Sequence, residues 1–327
     1  MGTELINLII AHLFNVKIKS MISLAKRIMS EGTSNVFNLG SFIFGISGII
    51  ICLVVVIAPY KILEVMPLGY VELFGYNLEK NGALGILLVS GVVVAAITQP
   101  LAGLISDKTD IKIGKRLPFI IIGGFGTALT IITIYYAKDF ISLLLCWMII
   151  QFFANLGEGP ANALLKDHVS EDEFGSASGK FNSLRVVGSI VTLIIVLQIM
   201  NIYDQTGNNI WFLGGLIFLS SLMIITTIWS YFSLKYPPID IIKDETVGKK
   251  SKNRLWNLIL VLITFSFTLL AFSSLQSYAV FLLQDILKLE NPAPMLTGVI
   301  IVLGISIGLS MIPAGKLSDK YNRKIII

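Results

Sequence analysis

Gly103-Leu-Ile-Ser-Asp107-Lys108 and Gly315-Lys-Leu-Ser-Asp319-Lys320 are two copies of one short string, one in the first third of the chain and one near its end. Each copy closes a long apolar segment, and basic residues follow it. An internal repeat of this kind inside apolar sequence indicates a membrane protein built from two related halves.

The composition supports this interpretation. Of the 327 residues, 55% are hydrophobic and 14% are charged, whereas soluble domains have roughly 45–50% apolar and about 25% charged residues. Apolar segments recur along the whole chain, and about 20 such residues cross a hydrocarbon core as a helix. A β-barrel would show alternation over about ten residues instead. We therefore predict an all-α membrane protein.

Eight transmembrane helices are predicted, at residues 39–62, 82–105, 117–137, 140–164, 177–200, 210–234, 255–283 and 295–315. If the chain starts in the cytoplasm, only four of the 25 basic residues lie on the outer side: Lys61, Lys80, Lys138 and Lys288. Basic residues resist translocation, so this asymmetry predicts a cytoplasmic N-terminus. Topology thus explains the net charge of +5, and no nucleic-acid partner is indicated.

These spans divide the chain into four parts. Residues 1–38 are an N-terminal segment, either an amphipathic helix at the membrane surface or, with translation starting at Met21 or Met29, partly untranslated. Residues 39–234 form a six-helix bundle, 235–254 a cytoplasmic linker, and 255–327 the first two helices of a second bundle. We expect a twelve-span protein of which this sequence contains eight spans. The alternative is a truncated remnant that does not transport.

The repeated string predicts a conformational latch. Gly103 permits close helix approach, and Asp107, Lys108, Gly114, Lys115 and Arg116 lie in or beside one short cytoplasmic loop. The basic side chains can pair with a carboxylate at another helix end, such as Asp167. In the second copy the corresponding residues are Gly315, Asp319, Lys320 and Arg323.

The string resembles the loop signature of the major facilitator superfamily. The segment from Ser106 through Gly114-Lys115-Arg116 to Phe119 is similar to the glycoside-pentoside-hexuronide and sucrose branch, as is Asn155-x-x-Glu158-Gly159-Pro160. This resemblance implies a helical transporter that moves a sugar or glycoside by alternating access, with protons as the coupling ion. The residues themselves indicate no cofactor, no metal site and no enzymatic activity. The expected location is the plasma membrane, and an organic anion is the alternative solute.

The fourth predicted span contains a polar stripe. Gln151, Asn155, Glu158 and Asn162 are spaced i, i+4, i+7 and i+11, which places them on one face of a helix. Desolvation disfavours the charged form of Glu158 at this depth, which suits proton coupling. Arg185 in the fifth span is the expected partner. The pair either contributes to coupling and solute contact or is a static link between two helices.

The resemblance also shows two departures. The proton-handling aspartate of the plant sucrose carriers aligns with Gln151, and their substrate-binding arginine aligns with Asn162. The second span has no acidic residue before Asp107, which disfavours sodium coupling. In the seventh span, a polar group at mid-depth either recognises a sugar or packs helices; it consists of Ser273, Ser274, Gln276, Ser277 and Tyr278.

Overall fold

The computed structural model describes residues 36–73, 75–109, 111, 113–169, 174–234, 278–288, 294–299, 302 and 306. Six helices within this part of the chain are long and apolar enough to cross a membrane. In chain order, they are Ser41–Val65, Lys80–Lys108, Leu117–Tyr136, Phe140–His168, Phe174–Thr206 and Asn209–Leu234. They coincide with the first six predicted spans, and several extend beyond the predicted bounds.

The eight-span count is not confirmed. Of the seventh and eighth predicted spans, the structure describes a short helix, Ala279–Asp285, and helical residues at 294–299, 302 and 306. Ser273, Ser274, Gln276 and Ser277 lie outside the described residues, as do Gly315, Asp319, Lys320 and Arg323. Their predicted roles therefore stay predictions.

The first span is irregular at its centre. It consists of an α-helix Ser41–Cys52, a π-helical segment Leu53–Ile57 and a second α-helix Ala58–Val65. Pro59 has no N–H to donate to the preceding turn, which accounts for the wider hydrogen-bond register just before it. The short helix Val36–Leu39 precedes the span and packs on the fifth and sixth spans, so the folded bundle begins before residue 39.

A small β-hairpin connects the first and second spans. Its strands Tyr70–Leu73 and Tyr76–Glu79 pair antiparallel, with Gly75 in the turn at a φ of 80°. One face of the hairpin, which includes Val71 and Leu78, packs on the hydrophobic core. The sequence analysis missed this hairpin because each strand has only four residues, too few for a clear alternation.

Close helix packing at glycines holds the bundle together. A Cβ atom added at Gly123 in the third span would lie 2.5 Å from the backbone nitrogen of Gly157 in the fourth. Gly45 of the first span contacts Thr226, and Gly124 of the third contacts Thr227 in the same way. Small residues allow such close approach where lipid provides no hydrophobic driving force between helices. These glycines therefore serve close helix packing.

Two glycine variants test this account. Gly123→Ala forces a methyl group against the Gly157 backbone and should lower the free energy of unfolding by about 1–3 kcal/mol. Gly214→Ala is the control, since a Cβ there meets nothing within 4 Å. This control should be neutral or stabilising by up to about 1 kcal/mol, because alanine is the better helix former. Thermal unfolding in detergent measures both, and equal effects would contradict the packing account.

Candidate functional site

An ion pair connects the fourth and fifth spans. Arg185 donates from Nη1 to Glu158 Oε1 at 2.7 Å and from Nη2 to Asn162 Oδ1 at 2.7 Å. We call Glu158, Arg185 and Asn162 the Glu158 cluster. Its side chains are partly accessible, with Glu158 18% and Arg185 33% exposed. The cluster is therefore not sealed in the core.

The depth of the cluster follows from helix geometry. Glu158 precedes the last helical residue, His168, by ten positions, and Arg185 follows the first residue of its helix, Phe174, by eleven. At 1.5 Å per residue, both lie about 15 Å from the ends of their helices. The two spans run antiparallel, so the residues meet at a similar depth. A charge at such depth is costly unless it is paired, and here it is.

The polar stripe of the fourth span is divided in two. Gln151 and Asn155 are only 7% and 6% exposed, and Asn155 Nδ2 donates to Gln151 Oε1 at 3.2 Å and to its backbone carbonyl at 2.8 Å. Gly91 of the second span packs against the Gln151 side chain. These two amides are therefore buried at a helix contact, whereas Glu158 and Asn162 have more access to the surface.

Tyr278 lies elsewhere than predicted. The sequence analysis placed it at mid-depth of the seventh span, but its hydroxyl donates to the carbonyl oxygen of Asn81 at 3.0 Å, beside the first residue of the second span. Tyr278 directly precedes Ala279, the first residue of the described short helix. It is remote from the Glu158 cluster, because Gly159 packs against the backbone of Gln99, 18 residues further along the second span than Asn81.

A second polar cluster lies at the C-terminal end of the second span, near Gly103. The Arg116 guanidinium contacts Asp107 at 2.5 Å, Asp167 Oδ2 at 3.0 Å and Ser106 Oγ at 2.6 Å, and it donates to the Gly103 carbonyl at 3.4 Å. We call this set the Arg116 cluster. Arg116 is 8% exposed. Its planar group has five donors and suits several acceptors at once.

The loop conformation brings Arg116 back to the second span. Gly114 adopts a φ of 93°, which glycine accepts without strain, and its N–H donates to the carbonyl of Ile111 at 2.8 Å. Lys115 Nζ lies 3.3 Å from Asp167. Lys108 is exposed and makes no ion pair with a described residue. A Cβ at Gly103 meets nothing within 4 Å, so the described residues do not show the close helix approach expected there.

The sequence analysis missed a charge cluster at the other end of the bundle. Lys61 was counted on the outer side of the membrane, and it is only 1% exposed. It donates to Glu64 Oε1 at 2.8 Å and to the Tyr135 carbonyl at 3.2 Å. Nearby, the Tyr60 hydroxyl donates to Asp204 Oδ2 at 2.7 Å. The i, i+3 spacing of Lys61 and Glu64 was the one available signal for this cluster.

Six packed apolar helices with ion pairs between them define a multi-pass membrane protein. The chain belongs to the Major Facilitator Superfamily, whose family model matches residues 37–327. Members of this superfamily are membrane transporters rather than enzymes.

The chain is also similar to plant sucrose carriers. It is 25% identical over 123 residues to the sucrose transport protein SUC3 of Arabidopsis thaliana, covering 31% of this chain and 21% of that protein. With SUC4 of the same plant, identity is 26% over 124 residues, which are 32% of this chain and 24% of SUC4. With SUT3 of Oryza sativa subsp. indica, it is 25% over 128 residues, 32% and 25% of the two chains. The chain thus matches a quarter or less of the length of these relatives.

A substitution tests the Arg116 cluster. Arg116→Ala removes the only described cation that contacts both Asp107 and Asp167. Breaking such a mostly buried pair should lower the free energy of unfolding by about 3 kcal/mol. Lys108→Ala, which removes an exposed neighbouring charge, is the matched control and should have little effect. Comparable losses of thermal stability in both variants would show that the cluster is not a specific link.

Proposed function

We propose that this protein is a secondary transporter that moves a small neutral polar solute, a sugar or glycoside, by alternating access. Membership of the superfamily supports transport, and the likeness to sucrose carriers supports the solute class. The observation on which the proposal depends is the Glu158 cluster, in which a carboxylate and a guanidinium form a partly exposed pair about 15 Å from the ends of their helices.

The charge balance of the cluster favours a neutral solute. Glu158 already compensates the Arg185 guanidinium at 2.7 Å. An organic anion would have to displace this carboxylate, whereas a sugar hydroxyl can share the guanidinium donors or accept from the amide of Asn162. Uncharged hydroxyl groups therefore match the site better than a carboxylate does.

The same pair provides a mechanism for proton coupling. When Glu158 takes up a proton, it loses its charge and the attraction to Arg185 weakens. Arg185, still oriented by Asn162, is then free to donate to the solute. Proton uptake and solute binding thus favour each other. The membrane potential contributes about 2.3 kcal/mol per charge for each 100 mV.

The larger arrangement is also part of the proposal. Residues 39–234 would form the first half of the transporter, 235–254 a cytoplasmic linker, and 255–327 the beginning of the second half. The Arg116 cluster would stabilise one state at the cytoplasmic ends, because it joins the second span, the following loop and the fourth span. The N-terminus would be cytoplasmic, and the plasma membrane would be the location.

Substituting the acid tests the coupling mechanism. Glu158→Gln keeps the hydrogen-bonding shape but cannot ionise, so it should abolish proton-driven accumulation and leave solute exchange intact. Uptake of radiolabelled sucrose and related glycosides, against a panel of carboxylates, would be measured in proteoliposomes with an imposed proton gradient. Glu72→Gln, an exposed carboxylate on the hairpin, is the control and should accumulate like the unmodified protein.

Three outcomes would contradict the proposal. Equal accumulation by Glu158→Gln removes this residue from coupling and leaves the pair as a static link. Preferential uptake of carboxylates overturns the neutral-solute assignment. The absence of uptake for every solute by the unmodified, correctly folded chain would remove the transporter assignment altogether.

A further inference from the structure

Gln99 of the second span lies beside the Glu158 cluster. A Cβ atom added at Gly159, the residue after Glu158, would lie 2.6 Å from the Gln99 backbone oxygen and 3.2 Å from its Cγ. Gln99 precedes Lys108, the last residue of its helix, by nine positions or about 14 Å, close to the depth of Glu158 in the fourth span. The Arg116 cluster joins the ends of these two helices, so both residues lie at the same level.

The fourth span presents an exposed strip between Gln99 and Arg185. Successive residues of a helix are rotated by about 100°, so, counted from Glu158, Asn162 lies at about 40° and Gly159 at about 100°. Arg185 contacts the helix at Glu158, and Gln99 contacts it at Gly159. Asn162 lies between these contacts and is exposed. We call this surface the Asn162 strip, and it is bordered by Arg185 on one side and Gln99 on the other.

The packing of the helices leaves this strip accessible. The fourth span packs closely along the second span and much less closely against the fifth. Arg185 therefore reaches Glu158 by the length of its side chain rather than by close approach of the two backbones, and it is 33% exposed. The space beside the strip is thus available to a small polar molecule.

The side-chain amide of Gln99 is available as well. The residue is partly exposed, and its amide makes no hydrogen bond to a described residue. Gln151, two turns before Glu158, differs in this respect, because its amide oxygen accepts from Asn155 at 3.2 Å. A glutamine amide has one acceptor oxygen and two N–H donors. Gln99 therefore brings unused hydrogen-bonding groups to the border of the Asn162 strip.

The Glu158 cluster by itself is short of hydrogen-bond acceptors. Arg185 has donors only, and it already occupies Glu158 Oε1 and Asn162 Oδ1. Protonation of Glu158, which the proposed coupling requires, turns one more acceptor oxygen into a donor. A sugar hydroxyl group donates as well as accepts, and a donor without an acceptor weakens binding. The site therefore needs an acceptor from another helix, and the amide oxygen of Gln99 is the adjacent one.

We propose that Gln99 contacts the solute directly and determines its specificity, by accepting a hydrogen bond from one hydroxyl group that lies over the Asn162 strip. Arg185 and Asn162 serve as donors on one side of the solute, and Gln99 serves as the acceptor on the other. This inference rests on the proposed sugar transport, and it assigns a residue of the second span to the same site. A solute that lacks this hydroxyl group cannot donate to Gln99 and binds more weakly.

Gln99→Met tests the contact, because methionine has a similar length but no amide. The probe is sucrose, whose affinity follows from the rise of the thermal unfolding midpoint of the purified full chain at constant pH. The dissociation constant should rise about tenfold, as expected when a hydroxyl group loses its acceptor, and the midpoint without sugar should stay the same. Gln198→Met is the matched control and should change neither, since this exposed glutamine lies about 20 Å along the fifth span from Arg185.

Sucrose analogues that each lack one hydroxyl group identify the contact. With the unmodified protein, the analogue without the hydroxyl group that donates to Gln99 should bind about tenfold more weakly than sucrose. With Gln99→Met, the same analogue should bind as well as sucrose does, because the contact is already lost. Gln99→Asn, which keeps the amide on a shorter stem, should recover part of the affinity.

Two results would overturn this assignment and leave the proposed transport intact. If Gln99→Met binds sucrose like the unmodified protein, or lowers only the midpoint without sugar, Gln99 is a packing residue against Gly159. If every analogue loses the same factor in both proteins, Gln99 accepts from no hydroxyl group. Failure of sucrose to raise the midpoint of the unmodified protein would instead overturn both the sugar assignment and this contact.

Discussion

A charged side chain inside hydrocarbon must have a partner, and this constraint organises the bundle. Arg185 pairs with Glu158 between the fifth and fourth spans, and Lys61 reaches from the first span to the carbonyl of Tyr135 in the third. Arg116 joins the second span to the fourth through Asp107 and Asp167. Close glycine contacts join the same helices, and the contact of Gly123 with Gly157 lies beside the Glu158 cluster. A few specific polar pairs, together with these close contacts, therefore fix the positions of the helices.

The links differ in exposure, and exposure decides which of them can change. Among the cations, Arg116 is 8% and Lys61 1% exposed, whereas Arg185 is 33% and Lys80 27% exposed. Separating a pair leaves a buried cation without solvent, so the Glu158 cluster and the Lys80–Asp285 pair are the places where pairs can open at lower cost. In the proposed cycle, the buried links preserve the bundle while the accessible pairs exchange partners.

Much of this arrangement could be predicted from the sequence. Long apolar runs identified six spans because a helix is the structure that satisfies the backbone of an apolar segment in lipid. Helix periodicity and the positions of opposite charges anticipated the contacts of Arg185 with Glu158 and of Arg116 with Asp167, which the structure shows. Periodicity gives the face on which a residue lies but not the helix that this face meets. The sequence therefore could not show that Gln151 is buried against Gly91, or that Lys80 reaches Asp285.

The central claim is that Glu158 exchanges a proton and releases Arg185 when it does so. Infrared difference spectroscopy of the full chain in lipid bilayers, with and without saturating sucrose at constant pH, observes this carboxyl group directly. The account predicts a protonated-carboxyl band that appears when the solute binds, disappears in Glu158→Gln and persists in Glu72→Gln. A spectrum in which Glu158→Gln removes no band would show that Glu158 stays ionised beside Arg185, and the pair would then be a structural link only.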